Sequence, residues 1–315
     1  MSTRNASNYY TVIVPEVSRG TQVKDLATGV MLPDPCDIDD ASIIKERSHK
    51  RATIKDRAGA KIKTGTKYNV KLSGELTSTH EILLKAFTQD STSPYTLPDE
   101  VPATDLTYNI YRIYNVGASV YYDVALGCHC DSLKLSGNET DKITYEASFS
   151  AVASRFEIHS TSGDALTNVP ARADLAGYFL FGNATASLAN SATKLNSFSI
   201  DLSKSMVSDE RRFQNTLTMA NDLFTAIGGK LKFQTIWDSV NDSAMVNKLN
   251  DGSAYTSTIT LVSSDSSPKT WAFVMYGTLE SIKRPDEERN LFVSDQEYNL
   301  AYDASLHEPI TITVS

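Results

Sequence analysis

The residues best suited to chemistry stand together at Cys128-His129-Cys130. A nucleophilic cysteine needs a base within hydrogen-bond reach. Neighbouring side chains on a strand point to opposite faces, so His129 faces away from both thiols while Cys128 and Cys130 share a face. Zinc is no better served, because its ligand pairs are usually separated by about two to four residues. Both cysteines therefore read as buried structural residues. Gly228-Gly229-Lys230 matches only the end of a phosphate-loop pattern. That loop needs a glycine further upstream and a hydroxyl after the lysine, whereas Phe224 and Leu231 stand there, so the glycine pair is expected to be a turn. His49, His80, His159 and His307 are scattered, with no partner at metal spacing. Acidic residues cluster at Asp37, Asp39 and Asp40 and at Asp286-Glu287-Glu288. Neither cluster has the alternating oxygens, central glycine and distal glutamate of a calcium loop, and both read as solvated turns. Asn5, Asn138, Asn183 and Asn241 open glycosylation-type triplets, which carry weight only in a secreted protein. No residue is assigned to catalysis, to a cofactor or to a metal; the balance moves from enzyme towards structural protein.

The elements that would position any site recur along the chain. Lys67-Tyr-Asn-Val-Lys-Leu-Ser-Gly-Glu-Leu-Thr77 is extended and leads into a helical stretch, Thr79–Phe87. Gly229–Trp237 is extended and leads into a helical stretch, Ser239–Leu249. Each helix is followed by an alternating strand and then by a strand containing a glycine. The first reads Tyr122-Asp-Val-Ala-Leu-Gly127-Cys-His-Cys-Asp-Ser-Leu-Lys134 and the second Ala272-Phe-Val-Met-Tyr-Gly277-Thr-Leu-Glu-Ser-Ile-Lys283. A long-period repeat points to a duplicated unit, and duplicated units usually stack or close into rings.

The expected organisation is an N-terminal arm over 1–50, a first β domain over 51–158, a linker over 159–194 and a second β domain over 195–315. The arm holds a strand from Tyr9 to Val14, then the acidic, proline-broken Pro33–Asp40, then the basic Lys45–Arg51. In the first domain Tyr68, Val70 and Leu72 alternate with polar residues, the period of a half-buried strand. Ser78 or Thr79 can cap the helix, and Ile82, Leu83, Ala86 and Phe87 form its apolar stripe. Ser91–Asp105, with its prolines, reads as a loop. Strands are expected over Leu106–Tyr114, Ser119–Gly127, Asp131–Leu135 and Lys142–Ala151, with a turn at Ser136–Glu139. The linker is rich in small polar residues apart from one patch, Tyr178–Phe181, expected to be buried. In the second domain Phe198, Ile200 and Leu202 alternate with polar residues, and Ile310–Val314 is a final strand.

The bulk properties narrow the function class. At 315 residues, 41% apolar and 22% charged, the chain can fill two cores and is not disordered overall. A net charge of −8 opposes gripping nucleic acid through a basic groove but does not oppose DNA sliding past. No apolar run reaches the roughly 20 residues of a membrane helix. The first ten residues lack an apolar signal core, so secretion is not expected, and Cys36, Cys128 and Cys130 are expected to be free thiols. The fold class is mainly β, with many short strands and turns, in two tandem sandwich or barrel units, each flanked by a short helix.

Gly127-Cys-His-Cys-Asp-Ser-Leu-Lys-Leu-Ser-Gly137, followed by Asp141-Lys-Ile-Thr-Tyr-Glu-Ala-Ser-Phe-Ser150, resembles the tail tube proteins of long-tailed bacteriophages. So does Lys67–Leu76 running into a short helix. The resemblance covers most of 50–158 and, more faintly, 195–315. It implies a β-sandwich with a flanking helix, whose hairpins join those of neighbouring subunits in a closed barrel around a DNA channel. Usual members form six-fold rings from one unit each. Two units here imply a homotrimer with pseudo-six-fold symmetry, favoured over a hexamer, stacked into a tube with other tail proteins. The implied location is the virion tail, assembled in the bacterial host cytoplasm, with DNA crossing the lumen unbound and no membrane partner. A net-negative channel wall is expected. The alternatives are a tail-associated receptor- or glycan-binding β-sandwich, which needs exposed aromatics beside polar groups, and an enzyme on a β scaffold.

Overall fold

The computed structural model describes residues 9–39, 42–47, 61–97, 106–116, 119–139, 141–161, 163–172, 177–188, 191–207, 223–236, 246–247, 249–283, 286–288, 291–301 and 309–315. The protein is mainly β and its strands form one large antiparallel sheet system. The chain begins with β1 (Tyr9–Pro15), β2 (Val30–Leu32), β3 (Asp37–Ile38), β4 (Ser42–Arg47) and β5 (Lys61–Glu75). A 3-10 turn and α1 (Glu81–Thr88) follow, then β6 (Tyr95–Thr96), β7 (Tyr108–Val116), β8 (Ser119–Asn138), β9 (Thr144–Ala151) and β10 (Ala153–His159). Beyond a second 3-10 turn come β11 (Thr185–Leu188), β12 (Ser191–Thr193), β13 (Leu195–Val207) and β14 (Leu223–Ile236). The last strands are β15 (Ala254–Val262), β16 (Thr270–Ile282), β17 (Asp286–Glu288), β18 (Leu291–Leu300) and β19 (Ile310–Val314).

The pairings repeat in the same order. In the first half β1 pairs with β2 and β7, β7 with β8, β8 with β9 and β10, and β9 with β5, which also carries β3 and β4. In the second half β11 pairs with β12 and β15, β15 with β16, β16 with β18 and β19, and β18 with β14, which also carries β13. Even the irregularities match. The β8–β9 ladder slips between Cys130 and Ser132, and the β16–β18 ladder slips between Leu279 and Ser281. A bulge of this kind re-aims the strand and sharpens its twist. The expected helix over Ser239–Leu249 lies largely outside the described residues; Val246, Asn247 and Leu249–Asp251 are helical.

Each glycine shared by the two halves has its own steric reason. Gly127 has φ +63°, a conformation that costs any other residue energy. A Cβ on Gly277 would lie 2.4 Å from the Asn299 carbonyl oxygen, a backbone atom that cannot rotate away. Gly277→Ala is expected to destabilise the protein by about 2 kcal/mol. An unchanged urea midpoint for that variant would show that β18 yields freely.

Several expectations need correction. Residues 9–38 are not an arm on the surface of the body. Val12, Ile13 and Val14 are fully buried because β1 is covered on both faces, one against the main core and one against a second cluster with Leu26, Tyr111 and Tyr122. Residues 1–8, 40–41 and 48–50 lie outside the described residues. The segment 159–194 is more than a linker: Tyr10 donates to the Pro170 carbonyl, Phe179 is wholly buried, and β11 extends the second half's sheet. The strands expected over Ser119–Gly127 and Asp131–Leu135 are one strand of 20 residues, which continues over Ser136–Asn138, so the turn expected at Ser136–Glu139 starts only at its end, with Glu139. Part of the Ser91–Asp105 loop is strand β6, which receives the C-terminal β19. The Gly228-Gly229 pair lies inside β14, opposite Ser203 and Leu202, and not in a turn. Leu300 fills the space over Gly229, where a Cβ would lie 2.3 Å from its Cδ1.

Helix α1 lies where expected, but neither Ser78 nor Thr79 caps it: both fall inside the 3-10 turn, and α1 starts after His80. Thr77 caps the turn before it, with the Thr77 amide donating to His80 Nδ1 at 3.0 Å. Its apolar stripe is buried, and Gln89 ends it in the left-handed region with its amide donating to the Lys85 carbonyl. One core cluster spans both halves, from Phe87 and Phe149 to Trp271 and Phe273.

Candidate functional site

The chemically suggestive residues are spread through the core. Cys36, Cys128 and Cys130 are all free and buried. Burial pushes the Cys36 and Cys130 thiols up to about 12, and Cys128 well above its usual value for the same reason. Thiols held protonated in this way are poor nucleophiles. His129 is fully buried within β8. His80 sits in the core against the Tyr145 ring, and His159 is exposed and stacked on Tyr121. His49, His307, Asp40, Asn5 and Asn241 lie outside the described residues. Asp37 is on β3, Asp39 follows it, and Asp286–Glu288 is β17, not a solvated turn. Asn138 ends β8 and Asn183 lies in a 3-10 turn. Among the described residues no three His, Cys, Asp or Glu side chains form a metal-binding group, and no helix is long and apolar enough to cross a membrane.

What the fold does assemble is a surface. The C-terminal half of β8 pairs with β13, so the two halves join edge to edge. Adjacent positions across the joined sheet run β3–β4, β5, β9, β8, β13, β14, β18 and β16–β17. One face is packed: Leu72, Ala147, Leu133, Leu202 and Phe233 all lie in the core. The opposite face is polar, as the period of two requires. One row across it reads Ser73, Glu146, Lys134, Asp201, Lys230 and Asn299, each opposite the next. The next reads Glu75, Thr144, Ser136, Ser199, Lys232 and Glu297.

Opposite charges alternate along and between these rows. Lys134 lies 3.9 Å from Glu146, Lys230 and Lys232 lie 3.3 and 3.8 Å from Glu297, and Lys283 lies 3.8 Å from Asp295. Such exposed pairs add only about 0.2–1 kcal/mol each. Their larger effect is to offset much of the field. On the described part of this face Lys71, Lys134, Lys230, Lys232 and Lys283 stand among Glu75, Glu146, Asp201, Asp295 and Glu297, joined by Asp37 opposite Lys71, Asp131 bonded to Ser150 and Glu280 bonded to Asn299. Carboxylates outnumber lysines among these residues, so the face is weakly acidic.

At one end of the β8–β13 joint lies an open polar groove of about 760 Å³, lined by Glu75, Asn138, Asp141, Lys142, Asn183 and Phe198 among others. Lys142 donates to Glu75 at 2.5 Å and lies over the Tyr178 ring at 3.8 Å; the Glu75 hydrogen bond raises the Lys142 pKa. Gly137 lets the joint close. A Cβ there would sit 2.8 Å from the Phe198 ring, its partner across the strands. The charge rows escaped the sequence reading because no local pattern says that β8 and β13 are neighbours. The usable signal was lysine and aspartate at polar positions of alternating strands, as in Lys134, Asp201 and Lys230.

Compared with known protein families and with curated proteins, the chain matches none of either.

Proposed function

We propose that this chain is the structural subunit of a phage tail tube, in which three chains, each supplying two similar units, close into a pseudo-six-fold ring, and rings stack around a channel for DNA. The observation that carries the reading is the β8–β13 joint, where one half adds its sheet edge to the other half's. A joint of that kind can be repeated between chains until the sheet closes, and closure removes the exposed edges that make open sheets prone to aggregate. The tandem β units and their contribution to an intersubunit barrel belong to this proposal. So do the virion location and the assembly in the host cytoplasm.

The polar face of the joined sheet suits a channel wall. Cross-strand ion pairs leave it only a small surplus of carboxylates, so a passing phosphate backbone finds no basic trap and only a weak barrier. The expected net-negative wall stays part of this proposal. A glycan-binding module has less support: the large apolar side chains exposed among the described residues are Val17, Phe156, Val246 and Val274, not an aromatic platform. Negative-stain imaging of concentrated protein tests the proposal. Rings or tubes with a central channel are expected, and a species that stays monomeric at every concentration would sink it.

A further inference from the structure

From the way the two halves join inside one chain, we infer that the edge formed by β3 and the start of β4 in one copy pairs, antiparallel, with the β16–β17 edge of a second copy, placing Ser42 opposite Ser281. This inference rests on the tube reading and names the interface that reading requires.

The argument is one of equivalent positions. In the first half Leu72, Ala147 and Leu133 lie side by side on β5, β9 and β8. In the second half Phe233, Gln296 and Ile282 lie side by side on β14, β18 and β16. The matched ladder slips, next to Cys130 and next to Leu279, fix this alignment independently. Within the chain, Ser203 of β13 stands opposite both Gly228 of β14 and Ser132 of β8. Counting along the aligned strands, Gly228 corresponds to Lys67, whose partner is Ser42 on β4. Ser132 corresponds to Ser281, which directly follows the β16 bulge. The intramolecular Ser203–Ser132 contact thus has an intermolecular counterpart, Ser42–Ser281.

Both edges are available. Among the described residues β3 and β4 pair only with β5, and the stretch from Ser281 through β17 pairs only with β18. The two edges differ, so the contact is head to tail, and a head-to-tail contact with the right rotation closes a ring. The occupant is a second copy of this chain because β3–β4 holds the same place on β5 that β13 holds on β14. An intramolecular β13 already shows which edge such a strand accepts.

The test uses engineered thiols in the full chain. Directly opposed residues in an antiparallel pair have Cβ atoms about 4.5–5.5 Å apart, within reach of a short thiol cross-linker or, with small adjustments, a disulfide. The native cysteines are buried and leave a low background. Ser42→Cys and Ser281→Cys, assembled as a mixture of the two single variants, are expected to give a covalent dimer. Each single variant alone should give none. The double variant should give dimers and a closed trimer on a denaturing gel. Val274→Cys, exposed and away from this edge, replaces Ser281→Cys as the negative control. Electron microscopy of every sample reports folding and assembly apart from cross-linking. Rings without the 42–281 cross-link overturn the interface and leave the tube reading standing. Dimers from Ser42→Cys alone overturn the head-to-tail arrangement. Protein that never assembles, in wild type as well as variants, overturns both.

Discussion

Alanine at position 271 is expected to lower the free energy of unfolding by about 4 kcal/mol, the usual cost of truncating a fully buried tryptophan. Trp271 is 1% exposed and lies in β16 between Leu261 of β15 and Val314 of β19. Its ring meets Phe179 at 5.0 Å and Phe273 at 6.4 Å between centroids. Phe179 belongs to the segment between the halves, whose backbone bonds to Leu76 and Ile143 in the first half and bridges to Ser263 in the second. The indole therefore packs against the place where the halves are fastened, and its loss should weaken that fastening as well as the local core. The indole N–H has no hydrogen-bond partner among the described residues, so Trp271 already carries a desolvation cost. Trp271→Phe, which removes that cost along with some volume, should lose far less, about 1 kcal/mol. Urea denaturation of dilute protein followed by circular dichroism distinguishes the two variants. Equal midpoints for wild type and the alanine variant would show that the site is not packed as described.

Lowering the pH from about 6.5 to about 4 is expected to remove roughly 3 kcal/mol of stability through His80 alone. Burial holds the His80 imidazole down to about 4. The ring is fully buried, with Nδ1 accepting from the Thr77 amide and its face 4.3 Å from Tyr145. With Nδ1 accepting, the neutral ring carries its hydrogen on Nε2, which meets no partner among the described residues; a second proton would have to go on Nδ1, against the Thr77 N–H and away from solvent. In the unfolded chain the same histidine takes up its proton near pH 6.5. Between those values the unfolded state binds more protons than the folded one, so stability falls as the solution is acidified. Above that window both states are neutral and His80 contributes no slope. Comparing His80→Gln with wild type isolates this term, because the carboxylates titrate in both. The two stability curves should converge towards acid and run parallel above pH 7. Curves that stay parallel down to about pH 4.5 would mean that His80 is solvated or can bind a proton in the folded state.

The same residue shows what was legible beforehand. The helix from 79 to 87 and its apolar stripe are local signals, and α1 occupies Glu81–Thr88; the cap was misplaced, because Thr77 and not Ser78 or Thr79 caps the turn before it. That His80 would be the capping acceptor was not legible, because a histidine one residue before a helix has no preferred role. The strands around Val70, Ile200 and Ile312 were legible from alternation, which reports how deep each residue sits and nothing about its neighbour. The segment 9–38 was misjudged for the same reason. Val12, Ile13 and Val14 are apolar in succession, a run buried on both faces, and the charged and proline-rich residues after it suggested an arm.

Composition and periodicity by themselves determined that the chain is mainly β and where several of its strands alternate, as around Val70, Ile200 and Ile312. These are properties of short windows, in which side-chain period and residue type act on their own backbone. Tertiary structure alone decided that β8 joins β13, that opposite charges meet in rows across that joint, and that, among the described residues, β3–β4 and the stretch from Ser281 through β17 are left with one partner each. A strand offers the same amides and carbonyls to any neighbour. Which strand arrives, and in what register, depends on bulges, close-packed glycines such as Gly137 and Gly277, and core contacts made by residues far apart in the chain.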